Sequence, residues 1–265
     1  MANKTTLQRI KDIQARLGLK ADGIIGPATL TAIENLLGKE MGPPSEPIVH
    51  TMAISHKGLE QIVEFEIVSK AYYNRFLKSP ICPEGESGVT IGVCYDLGYQ
   101  SQAQIEKDWR GQIADVDLED LLKVTGLKKQ AAKAKINSLK HISIPIETAQ
   151  KVFLTATLPN WAKITANTYP GVEKLPADAQ AMLLSLVFNR GPSLATKDSR
   201  KEMRAIKPLV AAGDRTGIAG QIRAMKRIWE GRRLGGLLKR RDKEAELIEH
   251  ARPDNTLPEG EMILV

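Results

Sequence analysis

Gly58-Leu-Glu-Gln-Ile-Val-Glu-Phe-Glu-Ile67 is the stretch whose reading decides the fold. Its apolar residues fall at Leu59, Ile62, Val63 and Ile67, the 3–4 spacing of an amphipathic helix. Glu66 lies seven residues after Leu59, four after Ile62 and three after Val63, so it shares the apolar face. Glu60 and Glu64 fall on the opposite, polar side. A carboxylate among apolar neighbours is costly unless it is paired or protonated. Desolvation disfavours its charged form, which suits a general acid working near neutral pH. The alternative is a buried salt bridge with one of the C-terminal arginines.

Downstream, Ser87-Gly-Val-Thr-Ile-Gly-Val-Cys-Tyr-Asp-Leu-Gly98 reads as a short strand over 88–95, with β-branched residues between glycines. Thr90 offers a hydroxyl that could hold water or substrate, or could simply pack. Tyr95 is the candidate aromatic for a sugar ring. Asp96 either lines a cleft or caps a turn. Beyond this strand the pattern is helical. Helices are expected over 56–77, 102–114, 128–139, 147–166, 176–190, 198–212, 214–229 and 236–250, with an irregular tail over 253–265.

Upstream, Leu7, Ile10, Ile13, Leu17 and Leu19 space a first helix over 5–19. Asp22-Gly-Ile-Ile-Gly-Pro27 is a turn-rich loop in which Pro27 opens a second helix, to about Leu37. Residues 38–50 hold three prolines and two glycines, the composition of a semi-stiff linker. The expected organisation is a small helical module (1–40), a linker (41–54), a large domain (55–252) and a tail (253–265). The fold class is mainly α, with one small sheet.

The 265 residues carry 38 Lys+Arg against 31 Asp+Glu and are 42% hydrophobic, which excludes a disordered or collagen-like chain. The net charge of +7 suits an anionic partner such as nucleic acid, anionic lipid or cell wall. Residues 1–64 contain no Phe, Tyr or Trp, so the N-terminal module cannot grip glycan by stacking. Cys82 and Cys94 read as two free thiols, and they and the scattered histidines show no metal-ligand spacing. No metal and no cofactor are expected.

Four segments in order resemble the phage lysozyme family of muramidases: Ile62-Val-Glu-Phe-Glu66, Gly88-Val-Thr-Ile-Gly92, Met182-Leu-Leu-Ser-Leu-Val-Phe-Asn-Arg-Gly191 and Leu234-Gly-Gly-Leu-Leu-Lys-Arg-Arg-Asp-Lys-Glu-Ala-Glu-Leu247. Leu7, Ile13-Gln14, Leu17-Gly-Leu19, Asp22-Gly23, Gly26-Pro27, Thr29 and Ala32-Ile33 are similar to the type 1 peptidoglycan-binding domain. Together they look like a modular phage endolysin.

The resemblance implies a lysozyme-like α+β catalytic domain behind a small three-helix-type wall-binding module. It implies Glu66 as general acid and Thr90 near the attacking water. It also implies Asp22, Gly23, Gly26 and Thr29 in wall binding, while Tyr95 and Asp96 come from the strand itself as the candidates for substrate contact. The family's second acid is an Asp between the Glu and the Thr, and residues 67–95 contain none. Glu84 or Glu86 could take its place. Thr90 and backbone groups could instead position the water, or the sugar's own hydroxyl could attack, as in lytic transglycosylases.

The expected reaction is hydrolysis of the β-1,4 bond between N-acetylmuramic acid and N-acetylglucosamine in bacterial peptidoglycan. A degenerate, non-catalytic wall-binding or virion protein is a competing reading. So is a nucleic-acid binder using residues 223–241, whose eight basic residues accompany one acid. The enzyme reading expects a monomer without nucleic acid as partner. The opening Met1-Ala-Asn-Lys-Thr-Thr lacks the apolar core of a signal peptide, and no run approaches a membrane span. Accumulation in the host cytoplasm and passage through a holin-type pore are expected.

Overall fold

The computed structural model describes residues 5–22, 51–67, 69–258 and 260–265. The chain divides into two compact units, Met1–Val49 and His50–Val265. The first contributes α1 (Thr6–Arg16), capped by the Thr5 side chain on the Gln8 amide. Ile13, expected to face inward, is 47% exposed, while Gln14 is buried and donates to the Asp22 carboxylate at 2.9 Å. Gly23, Gly26, Thr29 and the expected second helix lie outside the described residues.

The second unit is mainly helical, and α9 (Ala177–Arg190) is its axis. Every residue of α9 from Ala177 to Val187 is buried. A helix buried on all sides must be surrounded, and four of the elements packed on it are β1 (Ala53–Ser55), α2 (His56–Ile67), α8 (Leu158–Thr168) and α12 (Gly235–Glu249). Gly58 permits the approach of α2, since a Cβ there would stand 2.2 Å from the Ala181 Cβ. The same face of α2 carries Ile62 and Glu66.

The expected helix over 56–77 breaks after α2 and resumes as α3 (Lys70–Tyr72), capped by Ser69, which runs into a π-helical turn over Tyr73–Leu77. The expected strand over 88–95 is instead a hairpin. β2 (Thr90–Ile91) pairs antiparallel with β3 (Tyr95–Asp96) across the turn Gly92-Val-Cys94. Gly92 and Cys94 both take positive φ, +56° and +54°, which folds the run back on itself. Gly92 is also required by space, because a Cβ would meet the Trp109 ring at 3.1 Å.

Further helices are α4 (Gln102–Trp109), α5 (Asp115–Leu122), α6 (Lys129–Lys135), α7 (Ile146–Val152), α10 (Lys201–Ala212) and α11 (Arg215–Ala224). A π-helical turn, Phe153–Thr157, joins α7 to α8, so the expected 147–166 is nearly continuous. The sequence reading omitted α5, whose only buried residues are Leu118 and Leu121.

The tail is not irregular throughout. β4 (Met262–Leu264) pairs antiparallel with β1, with Ile54 opposite Ile263. The strand Ala53–Ser55 therefore begins inside the stretch expected to be linker. Arg252 clamps the junction by donating to both oxygens of the buried Asp178 at 3.0 Å, while the Ser55 hydroxyl donates to Asp178 at 2.5 Å.

Candidate functional site

Glu66 is 11% exposed and sits where α2, the hairpin turn and α12 meet. Its Oε1 accepts from Arg240 Nη1 at 2.7 Å, and its Oε2 accepts from the Cys94 thiol at 3.1 Å. The buried salt bridge left open by the sequence is therefore present, and Arg240 is the partner. Arg240 is itself buried, lies over the Phe65 ring at 4.7 Å, and donates to Glu244 and to Ser185 of α9. Glu244 is fully buried. It accepts from Ser185, Arg240 and Arg241 on one oxygen and leaves Oε2 without a hydrogen-bond partner. Glu66 is thus the outermost carboxylate of an ionic network that reaches into the core.

Two openings flank this carboxylate. One, of about 520 Å³, is lined by Cys94, Tyr95, Asp96, Tyr99, Gln104 and Asp108 on one side and by Thr157, Asn160 and Trp161 on the other. The second, of about 670 Å³, is lined by Glu66 with Phe65, Asn189 and residues of the 233–243 segment. Glu66 lines the second opening, and Cys94, whose thiol bonds Glu66, lines the first. Desolvation and then the adjoining Glu66 carboxylate hold the Cys94 thiol pKa well up, so it acts as a donor. Both cysteines are free.

Thr90 is buried, and its Oγ1 has no hydrogen-bond partner. A buried unpaired hydroxyl costs about 1–3 kcal/mol. Tyr95 is buried, stacked edge-on against Trp109 at 5.5 Å, and its hydroxyl donates to Asp108 Oδ2 at 2.6 Å. Burial and the Asp108 carboxylate raise its pKa strongly. Its ring is committed to the core, and the exposed aromatics of this cleft are instead Tyr99, at 59%, and the half-buried Trp161. Asp96 accepts from the Gly88 amide on both oxygens and from the Gly98 amide at 2.8 Å, which makes it a turn cap that also borders the cleft.

Glu84 and Glu86 are exposed and line neither opening. Glu86 pairs with Lys129 at 2.7 Å. Asp108, absent from the sequence reading, is a second cleft acid, bonded by Tyr95 on one oxygen and by Gln104 on the other. The Gln104–Asp108 spacing of four on one helix was its only local signal. The basic run 223–241 is largely neutralised internally: Arg223 pairs with Glu249, Lys226 with Asp242, Arg227 with Asp198 and Glu202, and Arg240 and Arg241 with Glu244. Among the described residues no three His, Cys, Asp or Glu side chains converge as a metal site, and no helix is long and apolar enough to cross a membrane.

Compared with known families, residues 61–166 match a domain of unknown function, DUF8812. That span contains Glu66, its partner Cys94, the hairpin and the residues lining the 520 Å³ cleft, and stops short of α12, which supplies Arg240, the other partner of Glu66. No curated protein matches the chain.

Proposed function

We propose that the second unit is a peptidoglycan muramidase of the endolysin type, with Glu66 as general acid to the β-1,4 glycosidic oxygen. The observation that carries this reading is the Cys94 thiol, which lines the cleft and bonds Glu66 Oε2 at 3.1 Å. Through that thiol the carboxylate, which itself lines the 670 Å³ opening, is one side chain removed from a cavity of about 520 Å³, the size of a small-ligand site. The lining supports a saccharide: Trp161 and the face of Tyr99 that Lys128 does not cover offer ring surface, and Gln104, Asn160 and Asp108 offer hydrogen bonds. Arg240 can only donate, so a proton delivered by Glu66 resides on Oε2, the oxygen beside the cleft. Thr90, whose hydroxyl is buried and unpartnered, lines neither opening, so its role toward the attacking water rests on the family resemblance alone. The N-terminal unit, in which Asp22 is tied to Gln14, is proposed as the wall-binding module. The enzyme works as a monomer from the host cytoplasm through a holin-type pore.

Glu66→Gln keeps the shape of the carboxylate and an acceptor for Arg240. It should lower turnover of purified peptidoglycan by about 10²–10⁴-fold with an unchanged circular dichroism spectrum. Turnover equal to wild type would refute the role.

A second reading, a lytic transglycosylase on the same bond, is favoured by one observation. Both cleft acids, Asp96 and Asp108, have their oxygens engaged in internal hydrogen bonds, so neither stands free as a base. Mass spectrometry of the digest separates the two. Reducing muramic ends mean hydrolysis, and 1,6-anhydro ends mean transglycosylation.

A further inference from the structure

Internal pairing of the 223–241 run leaves a remainder of three, Arg232, Arg233 and Lys239. Arg233 and Lys239 line the 670 Å³ opening beside Glu66, and neither reaches a carboxylate among the described residues. The same opening holds Arg240, spent on Glu66 and Glu244, and Lys243, which bonds Glu64 at 3.0 Å. Four cations therefore face two carboxylates, Glu64 and Glu66, a local excess of two positive charges. Arg233 is exposed and lies in a tight turn: it and Gly231 take φ of +55° and +75°. Phe65, Leu234 and Leu237 supply apolar wall between the charges, and Asn189 adds an amide.

We infer that this opening is a subsite for a carboxylate-bearing substituent of the glycan, with Arg233 and Lys239 as its specificity-determining residues. The inference rests on Glu66 as the glycan-cleaving acid, because Glu66 lines this opening and bonds Cys94, which lines the cleft. A saccharide in the 520 Å³ cleft that carries an acyl or peptide chain near the scissile bond can direct that chain past Glu66. Its carboxylates then meet the two unspent cations and its methyl groups meet Phe65, Leu234 and Leu237. A nucleic acid fits the same charges poorly: the excess is confined to one opening, and most cations of the run are already paired within the fold.

The test uses the full chain and two soluble glycans of equal length. One carries stem peptides with free carboxylates, and the other carries the same peptides fully amidated. The double variant Arg233→Gln/Lys239→Gln should lose about 3–10-fold in kcat/KM on the free-carboxylate glycan, mainly through KM, as expected for two exposed ion pairs. It should match wild type on the amidated glycan. Arg233→Lys/Lys239→Arg should restore most of the loss. Equal losses on both substrates, or none on either, overturn the subsite.

If wild type cleaves neither glycan, the Glu66 reading fails. The subsite is then decided by calorimetry with the free-carboxylate disaccharide peptide. Weaker binding by the double variant than by wild type supports the subsite, and equal binding refutes it.

Discussion

At the residue scale, Cys94 shows how one side chain can be placed at a cost. It occupies left-handed backbone at φ +54°, a region that a residue with a Cβ enters against steric resistance. The turn needs that conformation to reverse β2 into β3, and glycine would supply it freely. Replacement by glycine removes the strain but also removes the donor on Glu66 Oε2. Cys94→Gly should therefore leave the fold intact and shift stability by no more than about 1 kcal/mol in the stabilising direction, checked by urea unfolding. A loss beyond that size would show that the thiol contact matters more than the strain. Glu66 was legible from helical spacing alone, because a carboxylate on an apolar face conflicts with its surroundings whatever the fold. Its partner was not, since several arginines follow in the sequence and only packing selects Arg240.

At the element scale, α9 holds the unit together and carries its buried polar groups. Asp178 is buried and tied to Ser55 and Arg252, so one residue joins β1, α9 and the C-terminal segment. Burial alone would raise its pKa. The hydrogen bonds from Arg252 and Ser55 outweigh it and hold the carboxyl below the usual carboxylate range. A depressed folded pKa contributes stability that is fully present above the unfolded value of about 3.9 and is lost as pH falls through the folded value. Wild type should thus lose stability below about pH 4 more steeply than Asp178→Asn. Melting temperatures of both proteins between pH 2.5 and 7 measure this, and parallel curves would exclude Asp178 as the acid-sensitive clamp. The helices themselves were readable because each carries its own 3–4 apolar spacing. The failures occurred where the local pattern was short: α5 buries two leucines, and the 88–95 run folds back at a turn whose left-handed residues include a cysteine.

At the scale of the whole molecule, the end of the second unit closes on its beginning. Val265 is buried, its amide donates to Met52 O at 2.9 Å, and its carbonyl accepts from the Thr51 and Met52 amides. Removing residues 262–265 exposes Met52 and Ile54 and breaks the β1–β4 ladder. One buried aliphatic side chain and several backbone hydrogen bonds together suggest a loss of about 3 kcal/mol. Thermal unfolding of the truncated chain checks it, and an unchanged midpoint would mean that the clasp is dispensable. The candidate site depends on closure at the same scale, because α2 and the hairpin come from the first part of the unit and α12 from its last.

The sequence by itself determined the helical class, the positions of most of the helices, the carboxylate at 66 on an apolar face and the hydroxyl at 90 between glycines. These are properties of local spacing and backbone preference, and they need no knowledge of neighbours. Only the tertiary structure decided that Arg240 and Cys94 share Glu66, that Tyr95 is core while Tyr99 and Trp161 face the cleft, and that Asp108 borders it. It alone paired β4 with β1, and it alone left Arg232, Arg233 and Lys239 without a carboxylate in the basic run, the last two at one opening. Each of these depends on residues distant in the chain being brought within hydrogen-bonding reach, and one-dimensional periodicity carries no information about which distant partner packing will choose.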